Sequence, residues 1–281
     1  DSRTMKRILI TGVAGFAAHH FMQHILLNTD WHIIGVDSCI PPGDIRRVEQ
    51  IAGEGTGFEN RLTFFKHDLV NDFTIGQLDQ MGKIDYIVNF ASESHVQRSI
   101  DTPVPFVKNN INLMLTMLEL ARWVKPEVFI QISTDEVYGA APNGMNFTEW
   151  QPNLPSNPYS ASKAAQEALA ISYWRTYSVP VVITNCMNMF GERQDVEKFI
   201  PMLIKKVDAG EKVTIHGSHE YIGSRFYLHA RNQADALLYI LEKLKPIMYE
   251  DNEGILRPSK YNVEGNIELN NLQVGLLVAD I

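Results

Sequence analysis

The N-terminal stretch restricts the possible folds more than any other part of this sequence. A short apolar strand at residues 6–10 runs into a glycine turn with Gly12 and Gly15, a helix follows, and a second apolar strand at 31–36 ends in Asp37. Gly12 permits a tight turn, and Gly15 lets the backbone approach a pyrophosphate at the helix N-terminus, where free N–H groups favour an anion. This order of strand, glycine turn, helix, strand and acid predicts a dinucleotide-binding unit.

The acid at the end of the second strand indicates which dinucleotide is bound. Asp37 follows Gly12 by about 25 residues, and its carboxylate can accept hydrogen bonds from both hydroxyls of the adenosine ribose. The same carboxylate would repel a 2′-phosphate, so the sequence predicts NAD. Arg46 and Arg47 lie in the next loop and leave NADP open as an alternative. Asp68, after the third strand, is expected either to contact the adenine amino group or to cap a helix.

Apolar runs and helical patterns alternate regularly up to about residue 187. Further predicted strands in this part are residues 62–66, 84–91, 128–132 and 179–186, and the two long predicted helices are 104–123 and 157–177. The segment from 39 to 60 is rich in Gly, Pro and charge and predicts a loop with a short helix. The alternation predicts an α/β protein with a Rossmann-type, doubly wound parallel sheet that is covered on both faces.

Beyond Asn188 the regular alternation ends, and we expect a smaller C-terminal lobe over the carboxyl edge of the sheet, the edge at which ligands bind. The predicted elements there are helices at 200–209 and 233–244 and strands at 212–216, 225–229 and 260–263. Residues 5–187 are predicted to form the NAD-binding Rossmann domain, and segments at about 226–264 are expected to return to it. Residues 188–225 and 265–281 are predicted to form the smaller lobe.

Five polar side chains are predicted to meet at the carboxyl end of the sheet. Thr134, Asp135 and Glu136 follow the fifth predicted strand, and ligands of doubly wound sheets bind at that edge. Tyr159 and Lys163 are four residues apart, so both lie on one face of a helix. Free tyrosine titrates at about 10, but an ammonium one turn away and the positive nicotinamide ring would favour the phenolate. From the residues alone, the alternatives are a surface Tyr–Lys pair and two capping or solvated acids.

Composition argues against several classes of partner. The chain of 281 residues has a net charge of −8 and no basic block, which disfavours nucleic acid and anionic membranes. No apolar run approaches the roughly 18 residues of a membrane span, and no signal peptide is evident. Only Cys39 and Cys186 occur, far apart, so we expect a reducing cytoplasm. We interpret His19, His20 and His24 as helix surface and expect no metal.

Motifs along nearly the whole chain resemble those of one enzyme superfamily. They are Thr11 to Phe16, Asn89 to Ser99, Ser133 to Gly139, Ser156 to Lys163, Glu197 to Pro201 and Tyr261 to Gly265. In these motifs the chain resembles the extended short-chain dehydrogenases/reductases and, among them, the nucleotide-sugar 4,6-dehydratases, in particular those acting on dTDP-glucose. The Thr-Asp-Glu triplet is the narrower signal, because related epimerases and decarboxylases usually carry a different pair after Ser or Thr. Departures from the family pattern are Ala17-Ala18, Gln97, Leu113, Asn185, Asn232 and an end at Ile281, some tens of residues short of family length.

The resemblance implies a hydro-lyase that holds NAD and acts on an NDP-hexose, with dTDP-glucose expected and UDP- or CDP-sugars as alternatives. Tyr159 would remove the proton of the carbon-4 hydroxyl as hydride leaves carbon 4, while Thr134 or Ser133 bonds that oxygen. Glu136 would then take the carbon-5 proton, and Asp135 would protonate the departing carbon-6 hydroxyl. Return of hydride to carbon 6 would give the 4-keto-6-deoxy sugar.

The resemblance also assigns residues to the ligands and to a partner subunit. The cofactor-binding residues that it implies are Gly12, Gly15, Phe16, Ala17, Asp37, Asp68, Leu69, Phe90, Ala91, Ser92, Asn110, Ser133, Tyr159 and Lys163. The implied substrate-binding residues are Ser94, His95, Thr134, Asn188, Lys198 and Arg225, with a structural role as the alternative for His95. The helices at 104–123 and 157–177 are expected to form a homodimer interface.

Two other functions stay open at this point. A nucleotide-sugar epimerase or decarboxylase would share Tyr159 and Lys163 but needs no adjacent pair of acids. An NAD-binding regulatory protein without turnover would usually lack the tyrosine or the lysine, and this sequence has both. The nucleotide, the hexose and the end product are not fixed by the sequence.

Overall fold

A seven-stranded parallel sheet forms the centre of the computed structural model, which describes residues 5–142, 144–218, 222–244, 246, 249–250 and 254–281. The strands are β1 (Arg7–Thr11), β2 (His32–Asp37), β3 (Leu62–Lys66), β4 (Tyr86–Asn89), β5 (Val128–Thr134), β6 (Val181–Cys186), β7 (Met189–Phe190), β8 (Ser224–Phe226), β9 (Leu228–His229), β10 (Tyr249–Glu250), β11 (Leu256–Arg257), β12 (Ser259–Val263) and β13 (Glu268–Asn270). The helices are α1 (Phe16–Asn28), α2 (Ile45–Ala52), α3 (Ile75–Met81), α4 (Val96–Asp101), α5 (Pro103–Val124), α6 (Pro158–Tyr177), α7 (Phe199–Asp208), α8 (Ala230–Lys243) and α9 (Asn271–Ala279).

The strand order confirms the predicted doubly wound fold. Across the sheet the order is β12-β6-β5-β4-β1-β2-β3, and all neighbours pair in parallel. The chain winds outwards from β1 to β3, then crosses back to β4 and winds the other way. In such sheets ligands bind outside the carboxyl ends of the strands, where the winding direction reverses. A ligand site is therefore expected beside the ends of β1 and β4.

Helices cover both faces of the sheet, as the apolar strands require. All residues of β5 and β6 are buried, which fits strands packed on two sides. One layer contains α1 packed on α8, and the other contains α5 packed on α6. No helix in the described part of the chain is long and apolar enough to cross a membrane.

The apolar segment of α5 is already covered within one subunit. The predicted helix at 104–123, expected at a homodimer interface, is unusually apolar at 113–118 and needs cover on more than one side. In the structure Leu113, Met114, Met117 and Leu118 are all buried in the layer that α5 forms with α6 and the sheet. A dimer is therefore not needed to remove these side chains from water.

The C-terminal part adds one strand to the main sheet and several small pairings beside it. β12 lies in parallel against β6, β7 pairs with β9, and β8 pairs with β13, while α7 packs on α9. The single strand expected at 225–229 is divided at Tyr227, because β8 and β9 bond to different partners. The strand expected at 212–216 is wrong: these residues have no strand partner, and the nearest ladder contact is an isolated bridge between Gly217 and Ile222.

The prediction that His19 and His20 lie on a helix surface is also wrong. Both side chains are buried beneath the loop that follows β7. His19 donates from Nδ1 to Gly15 O at 3.0 Å and accepts at Nε2 from Arg193, also at 3.0 Å, while His20 donates to Glu192 O at 2.9 Å. Burial lowers the pKa of His19 to about 3 and lowers that of His20, so both rings are neutral. Within the described residues, no three His, Cys, Asp or Glu side chains are grouped to hold a metal ion.

Candidate active site

A cleft of about 550 Å³ opens where the glycine turn and the ends of β4 and β5 face the C-terminal part of the chain. Its wall contains most residues that the sequence assigned to cofactor and substrate: Gly12, Gly15, Phe16, Ala17, Asp37, Asp68, Leu69, Phe90, Ala91, Ser92, Ser94, Ser133, Thr134, Glu136, Tyr159, Lys163, Asn188 and Lys198. The assigned residues that do not lie on this wall are His95, Asn110, Asp135 and Arg225.

The glycine turn lies tightly against the end of β4 and opens α1 to the cleft. Gly12 has a left-handed φ of +65°, and a Cβ there would lie 3.1 Å from the N and Cα atoms of Ala91. A Cβ at Gly15 would lie 2.9 Å from Gly12 O. No side chain caps α1 and its first turn carries no acid, so its first N–H groups are free to bind an anion. The turn thus fits a pyrophosphate.

Asp37 is held in one orientation at the end of β2. It is buried, and its two carboxylate oxygens accept N–H bonds from Cys39 at 2.7 Å and Ala14 at 2.9 Å. Burial raises the pKa of this carboxyl, and the two N–H bonds oppose the rise. Each carboxylate oxygen has a second acceptor position, so the group can still bind ribose hydroxyls. This arrangement fits the adenosine half of NAD.

The two arginines that left NADP open have other partners. Arg46 is exposed and forms hydrogen bonds of 2.6 to 3.0 Å with the carboxylate of Asp44. The guanidinium of Arg47 is buried and occupied by protein oxygens. Its acceptors are Ala14 O, Pro42 O, Arg193 O and Asp195 Oδ1. The buried guanidinium of Arg47 is therefore not free to receive a 2′-phosphate, and that of Arg46 is paired with Asp44 at the surface.

Asp68 does not cap a helix. Its Oδ1 accepts from Val70 N at 3.2 Å and closes a local turn, whereas α3 begins later, at Ile75, with Thr74 as its cap. The capping alternative is thereby excluded. Asp68 and Leu69 lie on the cleft wall, where contact with an adenine group is still possible.

A short 3-10 turn, Asp135–Tyr138, places the two acids at the end of β5. Thr134 organises this turn, because its Oγ1 accepts from Glu136 N at 3.3 Å and donates to Asp135 Oδ1 at 3.2 Å. Ser133 Oγ instead donates to the buried Glu167 at 2.5 Å. Both hydroxyls considered for the substrate oxygen therefore donate to a carboxyl group in this structure, Ser133 to the buried Glu167 and Thr134 to Asp135.

Asp135 has the properties of an acid that is protonated close to neutral pH. Burial raises its pKa to about 6, and the adjacent Glu136 adds to the rise. Arg225 and the hydrogen bond from Thr134 act in the opposite direction. The carboxyl lies behind the Thr134 hydroxyl, one hydrogen bond from the cleft wall. Two adjacent carboxyl groups with different environments are suited to separate acid and base roles.

The start of α6 places Tyr159 and Lys163 on the cleft wall. Asn157 caps the helix, and Pro158 occupies its first turn, where proline is favoured. Lys163 donates from Nζ to Ile132 O at 2.7 Å, and burial lowers its pKa to about 8. Tyr159 lies in the first turn of α6, so the lysine follows it by one turn.

The protein's own groups favour the phenol form of Tyr159. Burial raises the pKa of its hydroxyl, and the charges of Glu136 and Asp135 raise it further, while a hydrogen bond with Thr134 opposes the rise. This direction is opposite to the one expected from Lys163 alone. Deprotonation at neutral pH therefore requires an additional positive charge in the cleft, such as a bound nicotinamide ring.

Asn110 lies beneath the cleft wall. It is fully buried on α5, donates to Glu93 O at 3.0 Å and Ser162 Oγ at 2.9 Å, and accepts from Glu93 N at 2.8 Å. These contacts fix the loop after β4, whose residues Ala91 and Ser92 line the cleft. Its geometry is that of a residue that supports a cofactor-binding loop from below.

His95 and Arg225 lie at the margins of the cleft. His95 caps α4 by accepting from Arg98 N at 3.3 Å, and its Nε2 lies 3.2 Å from Glu197 Oε2. These contacts match the structural alternative for His95. Arg225 is exposed on β8, and its charge is close enough to oppose the raised pKa of Asp135.

Sequence reasoning missed several residues around this site. On the wall these include Leu113, Cys186, Met187, Gln194, Phe199 and Tyr227. Glu167, below the wall, was also missed, although the sequence contained a signal. It follows Lys163 by four residues, as Lys163 follows Tyr159, so the three share one face of α6.

Comparisons with known proteins point to one enzyme family. The family model described as GDP-mannose 4,6 dehydratase matches residues 9–280. The low-salt glycan biosynthesis protein Agl12 of Haloferax volcanii is 35% identical over 266 residues, which cover 95% of this chain and 79% of that protein. The dTDP-D-glucose 4,6-dehydratase of Homo sapiens is 33% identical over 270 residues, covering 96% and 71%. The crystal structure of dTDP-glucose 4,6-dehydratase from Bacillus anthracis in complex with NAD has a TM-score of 0.83 at 30% identity, covering 98% and 80%.

Proposed function

This chain belongs to the nucleotide-sugar 4,6-dehydratases of the extended short-chain dehydrogenase/reductase superfamily, and on that premise we propose that it dehydrates an NDP-hexose. The enzyme is a hydro-lyase with bound NAD, and dTDP-glucose is its foremost substrate candidate, followed by UDP-hexoses. Bound NAD supplies reversible hydride acceptance, so it is regenerated in each turnover. The product is the NDP-4-keto-6-deoxy-hexose.

One observation carries this proposal: a pair of acids lies beside the Tyr–Lys pair, with Glu136 on the same cleft wall and Asp135 one hydrogen bond behind it. Oxidation and reduction alone need Tyr159 and Lys163, but elimination of water also needs one base and one acid. Glu136 lies on the wall, and the neighbouring Asp135 is kept partly protonated by burial. An epimerase or decarboxylase has no use for this second pair.

Different residues of the cleft are assigned to cofactor binding and to the oxidation at carbon 4. The glycine turn and Asp37 would hold the pyrophosphate and adenosine ribose of NAD, and Lys163 would orient the nicotinamide ribose. Thr134 would exchange its hydrogen bond to Asp135 for one to the carbon-4 oxygen, and Tyr159 takes the proton of the carbon-4 hydroxyl. The resulting ketone acidifies carbon 5.

Elimination and substrate binding involve the remaining groups. Glu136 removes the carbon-5 proton, and Asp135 protonates the carbon-6 hydroxyl, which leaves as water. Asn188, just after β6, and Lys198, just before α7, are the wall residues that would bind the sugar and phosphates. Arg225 supplies positive charge for the diphosphate from β8, where an arginine can form a bidentate contact.

A substrate panel tests the proposed function. We expect the purified chain with NAD to convert dTDP-glucose with the highest kcat/KM among dTDP-glucose, UDP-glucose, UDP-N-acetylglucosamine, CDP-glucose and UDP-glucuronic acid. Mass spectrometry should show a product lighter by one water. An unchanged mass with altered ring stereochemistry would identify an epimerase, and loss of carbon dioxide a decarboxylase. NAD binding without any conversion would support a regulatory protein instead.

The two long helices α5 and α6 are the proposed homodimer interface. Ala161 and Ala168 form an exposed small-residue face on α6, and Trp123 at the end of α5 is 68% exposed. Small residues let two helices approach closely. Light scattering at micromolar concentration should therefore give twice the chain mass of 31.9 kDa. Ala168→Glu should shift the protein to monomer, because equal charges would meet across the two-fold axis. A wild-type monomer at that concentration would contradict the proposal.

We also assign the binding of NAD and of the nucleotide sugar to different parts of the chain. Residues 5–187 form the proposed NAD-binding part, to which about 226–264 return through α8 and β12. Residues 188–225 and 265–281 form the proposed nucleotide-sugar lobe. We place the enzyme in the cytoplasm, in line with the two free thiols of Cys39 and Cys186.

A further inference from the structure

We propose that Glu167 is a positioning residue that locks the Tyr–Lys helix to the catalytic turn after β5, with Lys260 of β12 as its charge partner. The kinetic part of this inference rests on the proposed function, whereas its structural part does not. Glu167 neither lines the cleft nor contacts the reacting atoms in the proposed mechanism.

The carboxylate of Glu167 is completely buried and fully bonded. One oxygen accepts from Ser133 Oγ at 2.5 Å and Asn185 Nδ2 at 2.6 Å. The other accepts from Lys260 Nζ at 2.9 Å and more weakly from Asn153 Nδ2 at 3.5 Å. An isolated buried charge costs several kcal/mol, so this carboxylate is tolerable only with all of these partners in place. The contacts join α6, β5, β6 and β12.

These contacts hold residues that neighbour the proposed catalytic groups. Ser133 directly precedes Thr134, and Asn185 donates to Thr134 O at 3.1 Å as well as to Glu167. Lys163 lies one turn before Glu167 on α6 and donates to Ile132 O, just upstream on β5. The helix that carries the lysine and the strand end that carries Thr134 are therefore joined at two successive turns. A shift of α6 along β5 would break both links.

Glu167 also adds an electrostatic effect on Lys163. Burial lowers the pKa of Lys163 to about 8, and the charges of Glu167 and Cys186 oppose this fall. Lys260, which faces Glu167 from β12, balances the carboxylate charge. Neutralising Glu167 should lower the pKa of Lys163 further. The ammonium form of Lys163 would then be lost at a lower pH than in the wild type.

Three variants test whether Glu167 positions the catalytic groups or only stabilises the fold. They are Glu167→Gln, Lys260→Met and the double variant. Each single variant leaves a buried charge unpaired, so both should lower the melting temperature more than the double variant. The double variant removes both charges, and replacing a buried ion pair by neutral groups is often close to neutral for stability. Glu242→Gln, an exposed position on α8, is the matched control for removal of a carboxylate.

Hydrogen exchange of the free protein gives the readout that does not depend on turnover. In the double variant we expect a melting temperature near that of the wild type, yet exchange about tenfold faster in the peptide 132–139 and in the first turns of α6. Peptides of α8 should be unchanged, and Glu242→Gln should match the wild type throughout. Wild-type exchange of 132–139 in the double variant would overturn the inference.

Kinetics give the second readout. The double variant should lose about tenfold or more in kcat with little change in KM, because the binding surfaces persist while the catalytic groups lose their alignment. Its alkaline activity limb should move to lower pH. A double variant that regains stability and full kcat together would show that Glu167 is only structural. If the wild type turns over no nucleotide sugar, the proposed function fails, and the exchange result alone decides this inference.

Discussion

Replacing Tyr159 with phenylalanine should lower kcat by about 10²- to 10⁴-fold, the usual contribution of a positioned acid–base group. The ring would keep its packing near Phe106, from which its centroid lies 6.4 Å, so the fold and the KM should change little. The phenolic oxygen of Tyr159 is the group that the proposed mechanism assigns to take the proton of the carbon-4 hydroxyl. Stopped-flow absorbance should show that even the first oxidation is lost.

A tyrosine on the same helix provides the control for this variant. Tyr173 also lies on α6, but its hydroxyl donates to Glu119 at 2.6 Å, away from the cleft. Tyr173→Phe should retain wild-type kcat. If Tyr159→Phe also kept wild-type turnover, the base would have to be another group, and the proposed mechanism would be wrong from its first step.

Replacing Asp135 with asparagine should slow the loss of water by about 10²- to 10⁴-fold while sparing the oxidation at carbon 4. Asparagine keeps a carbonyl oxygen that can accept the Thr134 hydrogen bond, so the turn should persist. It cannot release a proton to the departing hydroxyl. Single-turnover absorbance should therefore show that reduced cofactor forms at the normal rate and then accumulates.

Solvent deuterium distinguishes the roles of the two neighbouring acids. With Asp135→Asn, carbon 5 should still exchange with solvent, because Glu136 remains as base. With Glu136→Gln, oxidation should proceed and this exchange should stop. The reverse pattern would assign the acid and the base the other way round, and full turnover of Asp135→Asn would remove its role altogether.

The pH dependence of water loss follows from the raised pKa of Asp135. The acid form is the active one, and its pKa lies at about 6 in the folded protein. Wild-type water loss should therefore fall as the pH rises through about 6, since the acid form is depleted there. The residual rate of Asp135→Asn should be flat across this window, because the amide does not titrate.

The N-terminal half of the fold was predictable because its signals are local. The mostly apolar run at 128–132 predicts a strand that is buried on both sides, and Gly12 occupies a left-handed conformation that the turn requires. The C-terminal part was less predictable. Residues 212–216 have the composition of a strand, but a strand forms only where a partner supplies its hydrogen bonds.

The site was predictable where a motif fixes a side chain on one element. Asp37 at the end of β2 and the four-residue spacing of Tyr159 and Lys163 are of this kind. The burial of individual side chains could not be predicted from local sequence in this way. His19 and His20 follow the glycine turn on what the helical pattern suggested was an exposed face, and a loop more than 170 residues later, at Glu192 and Arg193, covers them.

The sequence by itself determined the doubly wound sheet, the dinucleotide turn and the identity of the Thr-Asp-Glu and Tyr–Lys groups, because each depends on residues close together in the chain. Only the tertiary structure decided the protonation states of these groups and which of them already have hydrogen-bond partners within the protein. Asp135 has a raised pKa and Tyr159 is favoured as phenol because burial removes water from both. Asn185 stood in the sequence as a departure from a family pattern, and the fold brings it to Glu167. Desolvation and contacts between distant strands have no local sequence signal, and they set the chemistry of this cleft.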